Sequence, residues 1–173
     1  MSLPTESGAA GALAIEPERL TSPVAQALIA ALNAELAARY PEPGATHFRL
    51  EPAEVAPGAG VFLVVRRDGR PVGCGALRRL TEPPLVAELG PAVGELKRMY
   101  VAAEERGQGI GRALLARLEA EARALALSRV VLETGIRQQE ALALYRRAGY
   151  VDIPAYGEYA ASPATSACLA KAL

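Results

Sequence analysis

Seven residues, Arg106-Gly107-Gln108-Gly109-Ile110-Gly111-Arg112, carry the densest chemical signal in this chain of 173. Glycines at alternate positions let the backbone approach a ligand without Cβ clashes. The hydrophobic Met99-Tyr100-Val101 precedes the loop, and a helical pattern over Ala113–Leu125 follows it. Free N–H groups and the positive end of a helix then converge on one spot, a cradle for an anion such as a pyrophosphate. Arg106 and Arg112 flank it with charge. A ligand-free strand-to-helix turn is the alternative reading of such a loop.

Two familiar phosphate loops do not fit. A nucleoside-triphosphate loop needs Lys and Ser or Thr after its last glycine, and Gly111 is followed by Arg112 and Ala113. A dinucleotide fingerprint needs a third glycine where Leu114 stands. Metal chemistry has little to work with. Cys74 and Cys168 lie far apart in apolar surroundings, and His47 is the single histidine, so a Cys/His zinc site is not expected.

The 19 acidic and 19 basic residues cancel, which gives no electrostatic case for nucleic acid or an anionic membrane. The basic residues gather locally, at Arg66, Arg67, Arg70, Arg78 and Arg79, and again at Lys97, Arg98, Arg106 and Arg112. Such clustering suits a small phosphorylated ligand. Half the residues are hydrophobic, and the length suits one domain with a real core. No apolar run is long enough to span a bilayer, and no secretory signal is evident. A cytoplasmic, reducing location is expected, with residues 1–11 as a loose leader and 12–173 as a single domain.

The elements that must position the loop follow from periodicity. Leu13–Ile15 reads as a short strand ended by Pro17. Val24, Leu28, Leu32, Leu36 and Tyr40 recur once per turn after Ser22-Pro23, a helix with its N-cap. Phe48–Val55 suggests a short helical turn. Gly60–Arg67 and Pro71–Leu80 flank Asp68-Gly69, a hairpin signal. Thr81–Leu85, with two prolines, reads as a loop. Ala87–Leu89 and Glu95–Val101 form either one interrupted strand or a loop and then a strand. Val130–Glu133 predicts a strand, Gln138–Ala148 a helix stopped at Gly149, and Tyr150–Ile153 and Ser166–Leu173 two closing strands. The order implies an α/β (α+β-like) domain, with a mixed, mostly antiparallel sheet flanked by helices.

Arg106-x-x-Gly109-x-Gly111 after a strand ending at Val101 resembles the acetyl-CoA loop of the GNAT N-acetyltransferase family. Ala141-Leu142-Ala143-Leu144-Tyr145-Arg146-Arg147-Ala148-Gly149-Tyr150 resembles that family's second signature. Glu133-Thr134-Gly135 with Gln138 resembles an uncharacterised bacterial branch; Gln138 stands where the family often has a cofactor-contacting Asn. The resemblance covers about Gly60 to the C-terminus. It implies acetyl-CoA as co-substrate, no metal, and direct attack by a primary amine in a ternary complex. The loop residues Arg106, Gly107, Gln108, Gly109, Ile110, Gly111 and Arg112 would hold the pyrophosphate. Met99, Tyr100 and Val101 would lie along the pantetheine arm, with Gln138 and Tyr145 closing the cofactor site.

The same resemblance makes Tyr145 the candidate general acid and Glu95 the candidate general base, with Glu88 a second acidic candidate. Arg98 and Arg137 are candidates to hold an acceptor carboxylate. Pro154–Pro163, with Tyr156 and Tyr159, either walls the acceptor pocket or is a plain loop. The expected acceptor is a small-molecule amine, and a homodimer is a family-level expectation. Three rivals remain: a non-catalytic acyl-CoA-binding regulatory module, acetylation of a protein amine, and an ATP-binding protein, for which no magnesium ligand set is found.

Overall fold

The computed structural model describes residues 11–43 and 49–173. The expected leader, except Gly11, lies outside these residues, as do His47 and Phe48. The chain runs β1 (Leu13–Pro17), α1 (Pro23–Arg39), β2 (Gly60–Arg67), β3 (Arg70–Arg79), α2 (Pro83–Leu89), β4 (Val93–Val101), α3 (Ile110–Ala124), β5 (Arg129–Gly135), α4 (Gln139–Arg147), β6 (Val151–Ile153) and β7 (Ser166–Ala172). Ser22 caps α1, its Oγ accepting from the Ala25 N–H at 3.1 Å, and Pro23 opens the helix where a missing N–H costs nothing. The expected turn near residue 55 is a single 3-10 turn, Pro52–Val55.

One expectation fails. Thr81–Leu85 is not all loop and Ala87–Leu89 is not a strand: Pro83–Leu89 is helix α2. Both prolines fall in its first turn, where proline is tolerated because the N–H would lack a partner anyway. Glu88 therefore sits on a helix, where it accepts from the Gly157 N–H at 3.3 Å.

The strands form a seven-stranded sheet ordered β1-β2-β3-β4-β5-β7-β6, with β4 and β5 the parallel pair. Helices cover both faces, which is why β2 reads as an unbroken apolar run. Leu63 and Val65 pack with Leu114, Leu115 and Leu118 of α3. Their neighbours Phe62 and Val64 pack on the other face, with Ala25 and Leu28 of α1. A third cluster joins Val93, Val131 and Ala170 to Tyr156 and Tyr159.

Close approach fixes some small residues. A Cβ on Gly135, at the end of β5, would lie 1.9 Å from the Tyr40 hydroxyl oxygen. That hydroxyl accepts from the Arg137 N–H at 2.8 Å, tying the end of α1 to the β5–α4 turn. Gly135→Ala is expected to cost about 1–3 kcal/mol by overpacking. Thermal unfolding should show a lower Tm, and an unchanged Tm would mean that the Tyr40 contact is not held in solution.

Candidate active site

The site originates in a break in sheet pairing. Along β3 and β4, Ala76 faces Lys97, but the next pair is Cys74 with Tyr100. Three steps on β4 thus match two on β3, a β-bulge. Arg98 sits in the bulge at φ +56, the left-handed region that a bulky side chain rarely adopts. On the other side, β4 pairs with β5 only from Val93↔Arg129 to Leu96↔Leu132, although both strands run on. The strands part beyond that point, and Met99 and Tyr145 meet there. The Tyr145 hydroxyl donates to Met99 Sδ at 3.4 Å.

The glycine loop lies at the mouth of this split. Gly107 (φ +77) and Gly109 (φ +81) both need left-handed backbone, and neither would have an atom within 4 Å of an added Cβ. The space over the loop is open. Gly109 directly precedes α3, so the first N–H groups of that helix face the same opening. A cleft of about 780 Å³ runs from here along Met99, Tyr100 and Val101 to Tyr145. It takes in most of the expected cofactor residues, including Arg106, Ile110, Gly111, Arg112 and Gln138. Gln108 is exposed and does not line it. The loop and its dimensions fit a long anionic ligand.

Arg106 is partly committed to the loop itself. Its Nε donates to the Val101 carbonyl at 2.8 Å, and its guanidinium pairs with Glu35 at 2.7 Å. Arg112 is exposed on the lining and shows no such tie. Gln138 turns inward, its Oε1 accepting from the Gly135 N–H at 3.0 Å and so stabilising the turn into α4.

A second, smaller cavity of about 90 Å³ opens beside the first. Leu32, Met99, Gln138, Ala141 and Tyr145 line both. The inner cavity alone reaches Lys97, Arg98 and Glu133. Arg98 is buried there, its guanidinium donating to Asn33 Oδ1 at 2.6 Å. Burial lowers the Lys97 pKa, with Glu95 opposing. Burial pushes the Glu133 carboxyl up to about 7. The Tyr145 hydroxyl is raised by burial first and then by Glu133, so it stays protonated at neutral pH.

Glu95 is placed differently from its sequence expectation. It is 1% exposed and lines neither cavity. One carboxylate oxygen accepts from Arg78 Nε at 2.8 Å and the other from the Tyr156 hydroxyl at 2.7 Å. Arg78 also binds Glu54 at 2.9 Å and Glu82 at 2.5 Å, so this cluster clamps the 52–55 turn and the start of α2 onto the sheet. Arg137 likewise lines neither cavity; it binds the Arg39 carbonyl at 2.7 Å and pairs with Glu42. Tyr156 and Tyr159 are core residues, and neither borders the cavities.

The arginines of β2 and β3 have partners within the chain and line neither cavity. Arg66 pairs with Glu18, Arg67 and Arg70 pair with Glu105, and Arg79 donates to the Leu125 carbonyl. Glu133 is the residue that sequence reasoning passed over. In the sequence it stands only as the end of the Val130–Glu133 strand and the start of the Glu133-Thr134-Gly135 run, and the parting of β4 from β5 is what gives that acid a cavity.

The described residues contain no helix long and apolar enough to cross a membrane and no cluster of potential metal ligands. Comparison with known proteins agrees with the geometry. The sequence pattern of the Acetyltransferase (GNAT) family matches residues 25–150. The IAA acetyltransferase of Azospirillum brasilense is 47% identical over 102 residues, which is 59% of this chain and 61% of that protein. The chain thus matches less than two thirds of that relative's length. The solved structure of a Klebsiella pneumoniae protein assigned as an acyl-CoA N-acyltransferase is 35% identical, with a TM-score of 0.75 over 93% of this chain and 97% of the other. A GNAT family acetyltransferase from Elizabethkingia anophelis, solved with acetyl-CoA bound, shares the fold at 18% identity and a TM-score of 0.63, over 93% and 98% of the two chains. A split sheet with a glycine loop at its mouth, and a family pattern spanning both, make this chain a member of the acetyltransferase (GNAT) family.

Proposed function

We propose that this chain transfers an acetyl group from acetyl-CoA to the primary amine of a small molecule, both substrates being bound together. The observation that carries the reading is the meeting of the two cavities at Met99 and Tyr145. The outer cleft has the glycine loop and the room for a nucleotide-bearing thioester. The inner cavity has buried charge suited to a compact polar acceptor. Holding both partners in that geometry replaces a bimolecular encounter and supplies much of the rate.

In this reading the Gly107–Arg112 backbone binds the pyrophosphate, and Arg112 adds charge. The amine nitrogen attacks the thioester carbon, and the carbon–sulfur bond breaks. Tyr145 then protonates the departing sulfur. The buried hydroxyl holds its proton at neutral pH and so has one to give when the thiolate forms. Arg98, with Lys97 beside it, is the candidate contact for a carboxylate on the acceptor. Arg137 is left to its structural pairing with Glu42. Glu95 we assign to holding Arg78. The reading takes the protein to be cytoplasmic; a homodimer is not required, since every group invoked comes from one chain.

Two variants test the two halves of the site. Gly109→Val forces a β-branched residue into left-handed backbone, at about 1–3 kcal/mol, and crowds the cradle. Calorimetry should show coenzyme A binding weakened by about tenfold or more. Tyr145→Phe should lower kcat by about a hundredfold while leaving coenzyme A affinity intact. If single-turnover rates for Tyr145→Phe match the parent, Tyr145 is not the acid.

A further inference from the structure

We infer that Glu133 on β5, rather than Glu95 on β4, is the catalytic residue that takes the proton from the attacking amine. This inference rests on the acetyl-transfer reading and goes further by naming its base. Glu95 is shut out by its surroundings: both its oxygens are engaged, by Arg78 and by Tyr156, and it borders neither cavity. Glu133 lines the inner cavity, whose wall also includes Tyr145. The two groups therefore face the same small volume, one to receive a proton and one to give it.

The proton balance closes without any further reagent. An amine entering as an ammonium sheds two protons on its way to the amide. The first goes to the Glu133 carboxylate and frees the nitrogen lone pair. The carbon–nitrogen bond then forms, the carbon–sulfur bond breaks, and its electron pair leaves with sulfur. Tyr145 gives its proton to that sulfur and regains one from the acylated nitrogen. Glu133 returns its proton to solvent through the cavity mouth.

The environment tunes Glu133 for this exchange. Burial is the main cause that holds its carboxyl near 7, with Glu95 adding to the rise. Ser166 of β7, then Arg98 and Lys97 of β4, oppose it. The remaining titratable groups that sense Glu133 are Tyr145 on α4, Tyr40 after α1, Tyr159 of the 157–161 turn and Cys168 on β7. Burial raises the pKa of each of the four, so they remain neutral across the range in which Glu133 titrates. A base poised near the working pH accepts a proton and releases it with little penalty.

The test uses acetyl-CoA with glycine, β-alanine, phenethylamine and spermidine as acceptors, and follows the best of them across pH. Wild-type kcat should rise through about pH 7 and then level. Glu133→Gln should lose about a hundredfold or more at pH 7, with that limb abolished and coenzyme A binding unchanged. Glu133→Asp should keep the limb at a reduced rate. Thermal unfolding gives a readout independent of turnover. A carboxyl raised in the folded state stabilises fully below its unfolded pKa, and that stability is lost as pH rises through the folded value. The Tm of Glu133→Gln should therefore gain on the parent between pH 5 and pH 8. An intact pH limb in Glu133→Gln, or a Tm difference that does not change with pH, would overturn the assignment. Coenzyme A binding with no transfer by the parent protein to any of these amines would overturn the functional reading itself, and the role of Glu133 with it.

Discussion

The bulge at Arg98 is the constraint on which the rest of the site depends. A regular β4 would keep pairing with β5, and the sheet would be closed where the cleft now runs. One extra residue on β4, with Arg98 at φ +56, ends the parallel ladder at Leu96 and Leu132. Left-handed backbone at a non-glycine residue costs on the order of 1–3 kcal/mol and persists only where surrounding structure demands it. Here the demand is visible. The Arg98 side chain is buried and donates to Asn33 of α1, while the Cys74 thiol beneath it donates to the Arg98 carbonyl at 3.4 Å.

Charge is sorted around that split in a consistent way. Arginines on β2 and β3 are spent on carboxylates or backbone carbonyls that lock loops to the sheet. The Arg78 cluster is the most developed case, a buried cation facing Glu54, Glu82 and Glu95. Removing one partner from such a cluster would leave an uncompensated buried charge, so its members read as structure. The groups that border the cavities are differently placed. Arg112 stands exposed on the outer cleft, and Lys97, Arg98 and Glu133 meet in the inner one.

Features set by local backbone chemistry were legible in the sequence. The glycine loop, the Ser22-Pro23 helix start and the Asp68-Gly69 hairpin each depend on a few adjacent residues, and each is present. Helix α2 is not legible because a proline pair ordinarily signals a break, whereas Pro83 and Pro84 fall in a first turn, where they are compatible with helix. The site residues were harder. Whether Glu95 or Glu133 faces a cavity depends on which strand each acid meets across the sheet, and no local pattern encodes that. Arg137 looked free for a ligand because its partner Glu42 lies 95 positions away.

On the function proposed above, acetyl-CoA lies in the split between β4 and β5 with its pyrophosphate on the glycine loop. Hydrogen exchange with and without coenzyme A addresses it most directly. Protection is expected at the amides of Met99–Val101 and Gly107–Arg112, with the distant β1–β2 edge unchanged. Tight binding that leaves both of those segments exchanging as before would contradict it.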